Sequence, residues 1–243
     1  MRKGFLVLIL LGLFITAVPM MALALGIDVE AKAGAGLGLG TTNNSDIVGA
    51  VRLSGGAGID CDVYFLKAGP VDLGICVGVD YSYLSFHSTW SNYPYSTFTV
   101  MGFSAVTTQT SDTQYNYINV PIMLAGSIPL NSSLRLVLKA GGFVGYFIGG
   151  TTNVTYNPQI PGVFTNGPQT LNSNTTYNWE GGLNFTAGID IPVGSNFSIT
   201  PQLLYNMGLS NTTMPLPAIL GGGSYNNTFW ALTAMVGIKY NVL

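Results

Sequence analysis

From residue 27 onward the chain alternates, and a strand sends successive side chains to opposite faces. Ile27, Val29, Ala31, Ala33, Ala35, Leu37 and Leu39 fall on one phase, with Asp28, Glu30, Lys32, Gly34, Gly36 and Gly38 on the other. Seven further segments repeat the pattern. They run near residues 51–65, 71–83, 117–124, 134–148, 179–191, 197–208 and 230–242. Pro121 lies inside the fourth of these eight strands, where a missing ladder hydrogen bond predicts a bulge or local distortion.

Charge follows the same alternation. Thirteen of the sixteen charged residues after position 25 take the non-apolar phase: Asp28, Glu30, Lys32, Arg52, Asp60, Asp62, Asp72, Asp80, Arg135, Lys139, Glu180, Asp190 and Lys239. Asp46, Lys67 and Asp112 are assigned to loops or turns. A Lys or Arg on a lipid-facing barrel surface at mid-membrane costs about 2–4 kcal/mol, so an apolar phase free of charge is what lipid requires. With 7% charged residues overall, the chain also lacks the material for a water-exposed surface, which ordinarily uses about a quarter. Past the first two dozen positions no apolar run approaches the roughly 20 residues of a spanning helix. The class these facts define is all-β, a closed antiparallel up-and-down transmembrane β-barrel of about eight strands.

The N-terminus has the form of a secretory leader. Arg2 and Lys3 supply positive charge, Phe5 to Val18 the apolar stretch, and Ala22 and Ala24 the small-x-small cleavage site. We therefore divide the chain into a signal peptide, 1–24, and a barrel domain, 25–243. Loss of Arg2 and Lys3 leaves six bases against ten acids, a charge of −4, and no basic surface for nucleic acid. Short turns at 67–70, 129–133 and 192–196 alternate with a loop at 41–46 and longer segments near 85–115, 150–177 and 210–227. Short periplasmic turns and longer outer loops are the outer-membrane arrangement, which places the protein in the bacterial outer membrane with its lipid as partner.

An eight-stranded interior is just wide enough for side chains to fill. Glu30, Lys32, Arg52, Asp60, Asp62, Asp80, Arg135, Lys139, Glu180, Asp190 and Lys239 are expected to face it as a charge cluster, forming either a hydrogen-bonded plug or an ion-conducting pore. Aromatic residues near strand ends, Tyr81, Tyr83, Tyr115, Tyr117, Tyr146, Trp179, Tyr205 and Trp230 on one side, Phe65 and Tyr240 on the other, are read as interface girdles. Residues 96–106 offer a further hairpin arm, projecting outward or raising the strand number to ten.

Three stretches resemble the outer-membrane protein β-barrel superfamily, in particular its PorT-like and OmpA-like small barrels. Tyr117-Ile118-Asn119-Val120-Pro121-Ile122-Met123-Leu124 resembles a proline-containing strand of the PorT-like group, and Lys139 to Tyr146 is similar to the Gly-rich strand that follows it. Gly237, Tyr240, Val242 and Leu243 resemble the C-terminal signal read by the barrel-assembly machinery, with Leu243 replacing the usual terminal aromatic. The resemblance implies fold and address, and no substrate.

Chemistry is sparse. His87 is the one histidine, read as a solvated loop residue because no spacing singles out a nucleophile and acid. No His/Cys cluster suggests a metal, and Gly36-Leu37-Gly38-Leu39-Gly40 lacks the lysine and helix of a phosphate loop, so no cofactor is expected. Cys61 and Cys76 flank one turn but differ in phase, leaving a disulfide and two free thiols both open. The leading expectation is a non-enzymatic barrel whose long loops serve adhesion, a receptor role with an extracellular ligand, or envelope support. Its alternatives are a narrow pore for ions or small solutes and a soluble lipocalin-like binder.

Overall fold

A computed structural model describes residues 25–42, 47–91, 99–100, 103–104, 108–157, 166–171, 178–209 and 227–242. Ala22, Ala24 and Leu243 lie outside these. The strands are β1 (Gly26–Thr42), β2 (Ile47–Ala68), β3 (Val71–Trp90), β4 (Thr99–Val100), β5 (Phe103–Ser104), β6 (Thr108–Pro129), β7 (Arg135–Asn157), β8 (Gly167–Leu171), β9 (Trp179–Pro192), β10 (Phe197–Gly208) and β11 (Asn227–Asn241).

Eight of them close a ring. Starting at β1 the order is β2, β3, β6, β7, β9, β10 and β11, and β11 pairs with β1, every contact antiparallel. No main-ring strand is therefore left with a free edge in the membrane, which lipid would not tolerate. The short β8 hangs on the outer part of β7, and β4 pairs only with β5. The described part of the 96–106 segment thus adds nothing to the ring, and the strand number is eight.

Turn chemistry explains one hairpin directly. Ala68 pairs with Val71, leaving Gly69 and Pro70 as the connecting residues. Gly69 has a φ of 63°, which an L side chain rarely adopts, while Pro70 has φ fixed by its ring. At the next turn, Asn131 Oδ1 accepts from the backbone N–H of Ser133 and Leu134, both at 2.8 Å.

The two phases separate as the alternation requires. Leu124, Ile59, Leu203, Val144, Val236 and Ile238 are among the apolar residues left exposed on the outside, whereas Glu30, Asp60, Asp62, Lys139 and Glu180 are buried inside. Pro121 causes no bulge. The ladder from β6 to β3 breaks off between Asn119↔Asp80 and Ile122↔Val77 and resumes in unchanged register. Pro201 accompanies the same kind of interruption between β10 and β9. The irregularities occur instead at Asn116/Tyr117 in the β6–β7 pairing and at Val51/Gly55 and Tyr64/Leu66 in β2–β3. Cys61 pairs with Val77, and Cys76 with Asp62, so the thiols stand on opposite faces of the hairpin and both are free.

Strand lengths are unequal. Crossing a membrane takes roughly 9–11 residues of tilted strand. β9 and β10 have 14 and 12, but β2, β3, β6 and β7 have 22, 20, 22 and 23. Those four adjacent strands continue beyond the apolar band as a projecting wall. Much of what the sequence presents as long loops at 85–115 and 150–177 is therefore strand, without an apolar outward phase because that face lies outside the hydrocarbon.

Candidate functional site: a filled lumen and a projecting outer face

The ring directs Lys32, Lys139 and Lys239 into one interior and surrounds them with six carboxylates. Lys32 donates to Asp60 at 2.8 Å and lies 3.2 Å from Asp80. Lys139 reaches Asp62 at 2.9 Å, Asp60 at 3.2 Å and Glu30 at 3.3 Å. Lys239 reaches Asp190 at 2.8 Å, with Asp28 and Asp62 each at 3.9 Å. Gln202 donates to Glu30 and Thr200 to Asp190, both at 2.7 Å. Each lysine thus links acids from different strands, and the network crosses the lumen.

Neighbouring glycines make room for it. A β-carbon at Gly58 would collide with the Asp80 carboxylate, one at Gly78 with Asp60, and one at Gly237 with Glu30. This is the physical use of glycine on the interior phase: the acids fold across strands that carry no side chain there.

On the periplasmic side of the network a cavity of about 470 Å³ opens, lined by Asp28, Asp72, Lys67, Arg135, Asp190 and Lys239 among others. Arg135 belongs to this mouth, where it pairs with Asp72 and donates from Nε to Ser127 at 2.7 Å. Toward the outside, Glu180, Asn119, Asn184 and Asn206 are buried in a polar belt, and no described side chain donates to either Glu180 oxygen. Asn119 donates to Ser82 at 2.7 Å. A cavity of only about 10 Å³ lies beside Asp80, Ser82 and Asn206, the room of one water.

Aromatic packing covers the belt on its outer side. Tyr115, Tyr117, Phe147 and Phe229 are buried with Leu84 and Ala231, and Phe86 and Leu171 pack against them. Ring centroids of Tyr117 and Phe147 are 5.6 Å apart, those of Tyr115 and Phe147 6.0 Å, at edge-on angles. Tyr115 and Tyr117 thus leave the expected girdle and join an inward plug, because they share the interior phase of β6 with Asn119 and Met123. The outward aromatics hold as rims: Tyr146 meets Trp179 at 5.0 Å on the outer side, and Phe197 meets Tyr240 at 4.9 Å on the periplasmic side.

Of the eleven residues expected in the lumen cluster, nine are buried in the interior, Arg135 is at its mouth, and Arg52 is elsewhere. Above the register shift at Val51/Gly55, β2 meets β3 in altered phase. Arg52 turns outward, where its Nη2 donates to Asp112 Oδ1 at 2.6 Å and lies 3.3 Å from His87 Nδ1. His87 and Asp112 are not loop residues. They are register partners on β3 and β6, with Nδ1 and Oδ1 2.8 Å apart. The hydrogen bonds from His87 and Arg52 hold the Asp112 carboxyl below its ordinary value of 3.8. No spacing in the sequence links Arg52, His87 and Asp112; the β3–β6 register and the β2 irregularity bring them together.

Thr89 Oγ1 stands 3.3 Å from His87 Nε2, completing the order hydroxyl, imidazole, carboxylate. That order alone does not make a hydrolase. Thr89 pairs with Val48 on one side and Thr110 on the other, so the local backbone is committed to ladders rather than arranged around an oxyanion. Among the described residues no group of His, Cys, Asp and Glu has the arrangement of a metal site.

An antiparallel barrel with an apolar exterior, aromatic rims and a charged, side-chain-filled interior defines an integral outer-membrane barrel. The family model for the outer membrane protein beta-barrel domain matches residues 26–214, and the chain belongs to that family. No curated protein matches it. Its fold is similar to that of the outer membrane protein OprG from Pseudomonas aeruginosa, at 11% identity and a TM-score of 0.44, covering 89% of this chain and 97% of that one. A major outer membrane protein from Thermus thermophilus gives 14% identity and a TM-score of 0.41, over 89% and 98%. Ail, the attachment invasion locus protein of Yersinia pestis, gives 12% and 0.36, over 88% and 99%.

Proposed function

We propose that this protein is a closed, non-enzymatic outer-membrane barrel that acts through its extracellular face, in adhesion or as a receptor, rather than by conducting solute. The observation that carries this reading is the double obstruction of the lumen. Three buried lysines tie together carboxylates across the ring, and the Tyr115, Tyr117, Phe147 and Phe229 cluster covers it from outside. Rigid interior packing supports a scaffold whose variable parts are its loops.

Two sequence features fit the same reading. Residues 1–24 serve as a cleaved leader, leaving Leu25 at the periplasmic mouth, where its backbone nitrogen lies 2.7 Å from Tyr64 O. Tyr240 and Val242, both outward at the periplasmic rim, are presented to the barrel-assembly machinery, while Gly237 serves the interior by yielding space to Glu30.

Liposome swelling tests the reading. Vesicles carrying the folded protein should swell in small sugars no faster than protein-free vesicles. Swelling that depends on protein and declines with solute size would establish the pore alternative instead.

A further inference from the structure

The projecting wall has an outward face of unusual uniformity. Register places Thr89, Thr110 and Thr155 in one row across β3, β6 and β7, and His87, Asp112 and Asn153 in the next. Ser85, Gln114 and Thr151 form a third row, which Thr170 of β8 extends. Below it the row of Tyr83 and Asn116 marks the transition to the apolar band. Asp112, Gln114, Thr151, Asn153, Thr155 and Thr170 are exposed. Strand spacing sets these hydroxyls and amides about 4.8 Å apart across strands and about 7 Å apart along them.

This face is almost without net charge. Arg52 is neutralised by Asp112 at 2.6 Å. In the segments 41–46, 85–115, 150–177 and 210–227 the sequence contains Asp46 and Asp112 and no Lys or Arg. A surface that binds a polyanion needs unpaired cations, and one that binds a basic peptide needs unpaired carboxylates. Here recognition must rest on groups that both donate and accept hydrogen bonds without charge, as Thr, Ser, Asn and Gln do.

We infer that the outward face of the β3–β6–β7–β8 wall binds a neutral, hydroxyl-rich glycan. The inference rests on the surface-binding reading above and supplies its ligand class. A neutral polysaccharide offers repeated hydroxyls, each donor and acceptor, to a surface that repeats the same chemistry in two dimensions, so affinity comes from many weak matched bonds.

The test uses the folded full-length barrel in detergent, sedimented with two insoluble neutral glucans, cellulose and curdlan, with soluble mannan as competitor and immobilised heparin as the charged comparison. Binding to at least one neutral glycan is expected, and it persists at high salt because no counterions are released. Substituting Thr110, Thr151 and Thr155 together by Val keeps strand propensity and shape, and it weakens that binding at least about tenfold. Lys67→Ala, at the periplasmic mouth, leaves it unchanged. Heat-modifiable gel mobility confirms that each variant is folded.

Retention only on heparin, equal binding by the triple Val variant, or failure on all neutral glycans overturns the inference. So does binding to target cells that protease abolishes and periodate does not, which would assign the face to a protein partner. Any of these results obtained with a solute-tight barrel leaves the closed-barrel reading in place. Solute flux would overturn that reading separately.

Discussion

Replacing Lys139 by Met tests the interior network where it is most concentrated. The lysine side chain is 1% exposed and is shared by Glu30, Asp60 and Asp62. Without it Asp60 keeps Lys32 at 2.8 Å, but among the described residues the one lysine left to Asp62 is Lys239 at 3.9 Å, and Glu30 is left with the Gln202 hydrogen bond. Met fills nearly the same volume, so the cavity contribution is small and the cost is that of uncompensated buried charge, about 3–5 kcal/mol. With an m-value of about 2 kcal/mol/M, the urea midpoint should fall by roughly 1.5–2.5 M. Tryptophan fluorescence in lipid vesicles, checked by heat-modifiable mobility, reads the midpoint. Adding Asp62→Asn removes one orphaned charge and should restore at least about 1 kcal/mol. Lys67→Met, at a side chain 67% exposed and 3.8 Å from Asp72, should change stability by no more than about 1 kcal/mol. A Lys139→Met midpoint within about 0.5 M of the parent, or no different from that of Lys67→Met, would refute the reasoning.

Gly237→Ala places a β-carbon against the Glu30 carboxylate and should destabilise by about 1–3 kcal/mol, whereas Gly194→Ala, with nothing within 4 Å, should be close to neutral by the same urea assay. At the outer face the Asp112 carboxyl is held low, so its contribution is present above the ordinary value of 3.8 and fades as pH falls through the lowered one. Urea midpoints measured between about pH 5 and 2 should show this acid loss diminished in Asp112→Asn. Alkylation of the denatured, unreduced protein followed by mass spectrometry should find both Cys61 and Cys76 modified, since their register sets them on opposite faces.

Much of this is legible in the sequence because lipid imposes a simple rule on a strand. Ile59 and Asp60 can be sorted by period alone when one face must meet hydrocarbon and the other a narrow interior. The same rule fails where the hydrocarbon ends. Above Tyr83 and Asn116 the outward face turns polar while Leu84, Phe86 and Tyr115 continue on the inner one, so Ser85, Thr89, Thr110 and Thr155 read as loop although they lie in paired strands. Alternation misplaces Arg52 because the irregularity at Val51/Gly55 leaves no mark in the pattern. Tyr115 and Tyr117 read as rim residues because nearness to a strand end does not say which face an aromatic occupies. At Pro121 the strand tolerates the missing donor by dropping a stretch of ladder on the β3 side, and register survives without an added residue.

Single-channel recording in planar bilayers tests the closed lumen most directly. The folded barrel in concentrated KCl should give no discrete conductance steps across a wide voltage range. Regular steps that scale with salt and change size in Lys139→Met would place a conducting path through the lysine network and contradict the account.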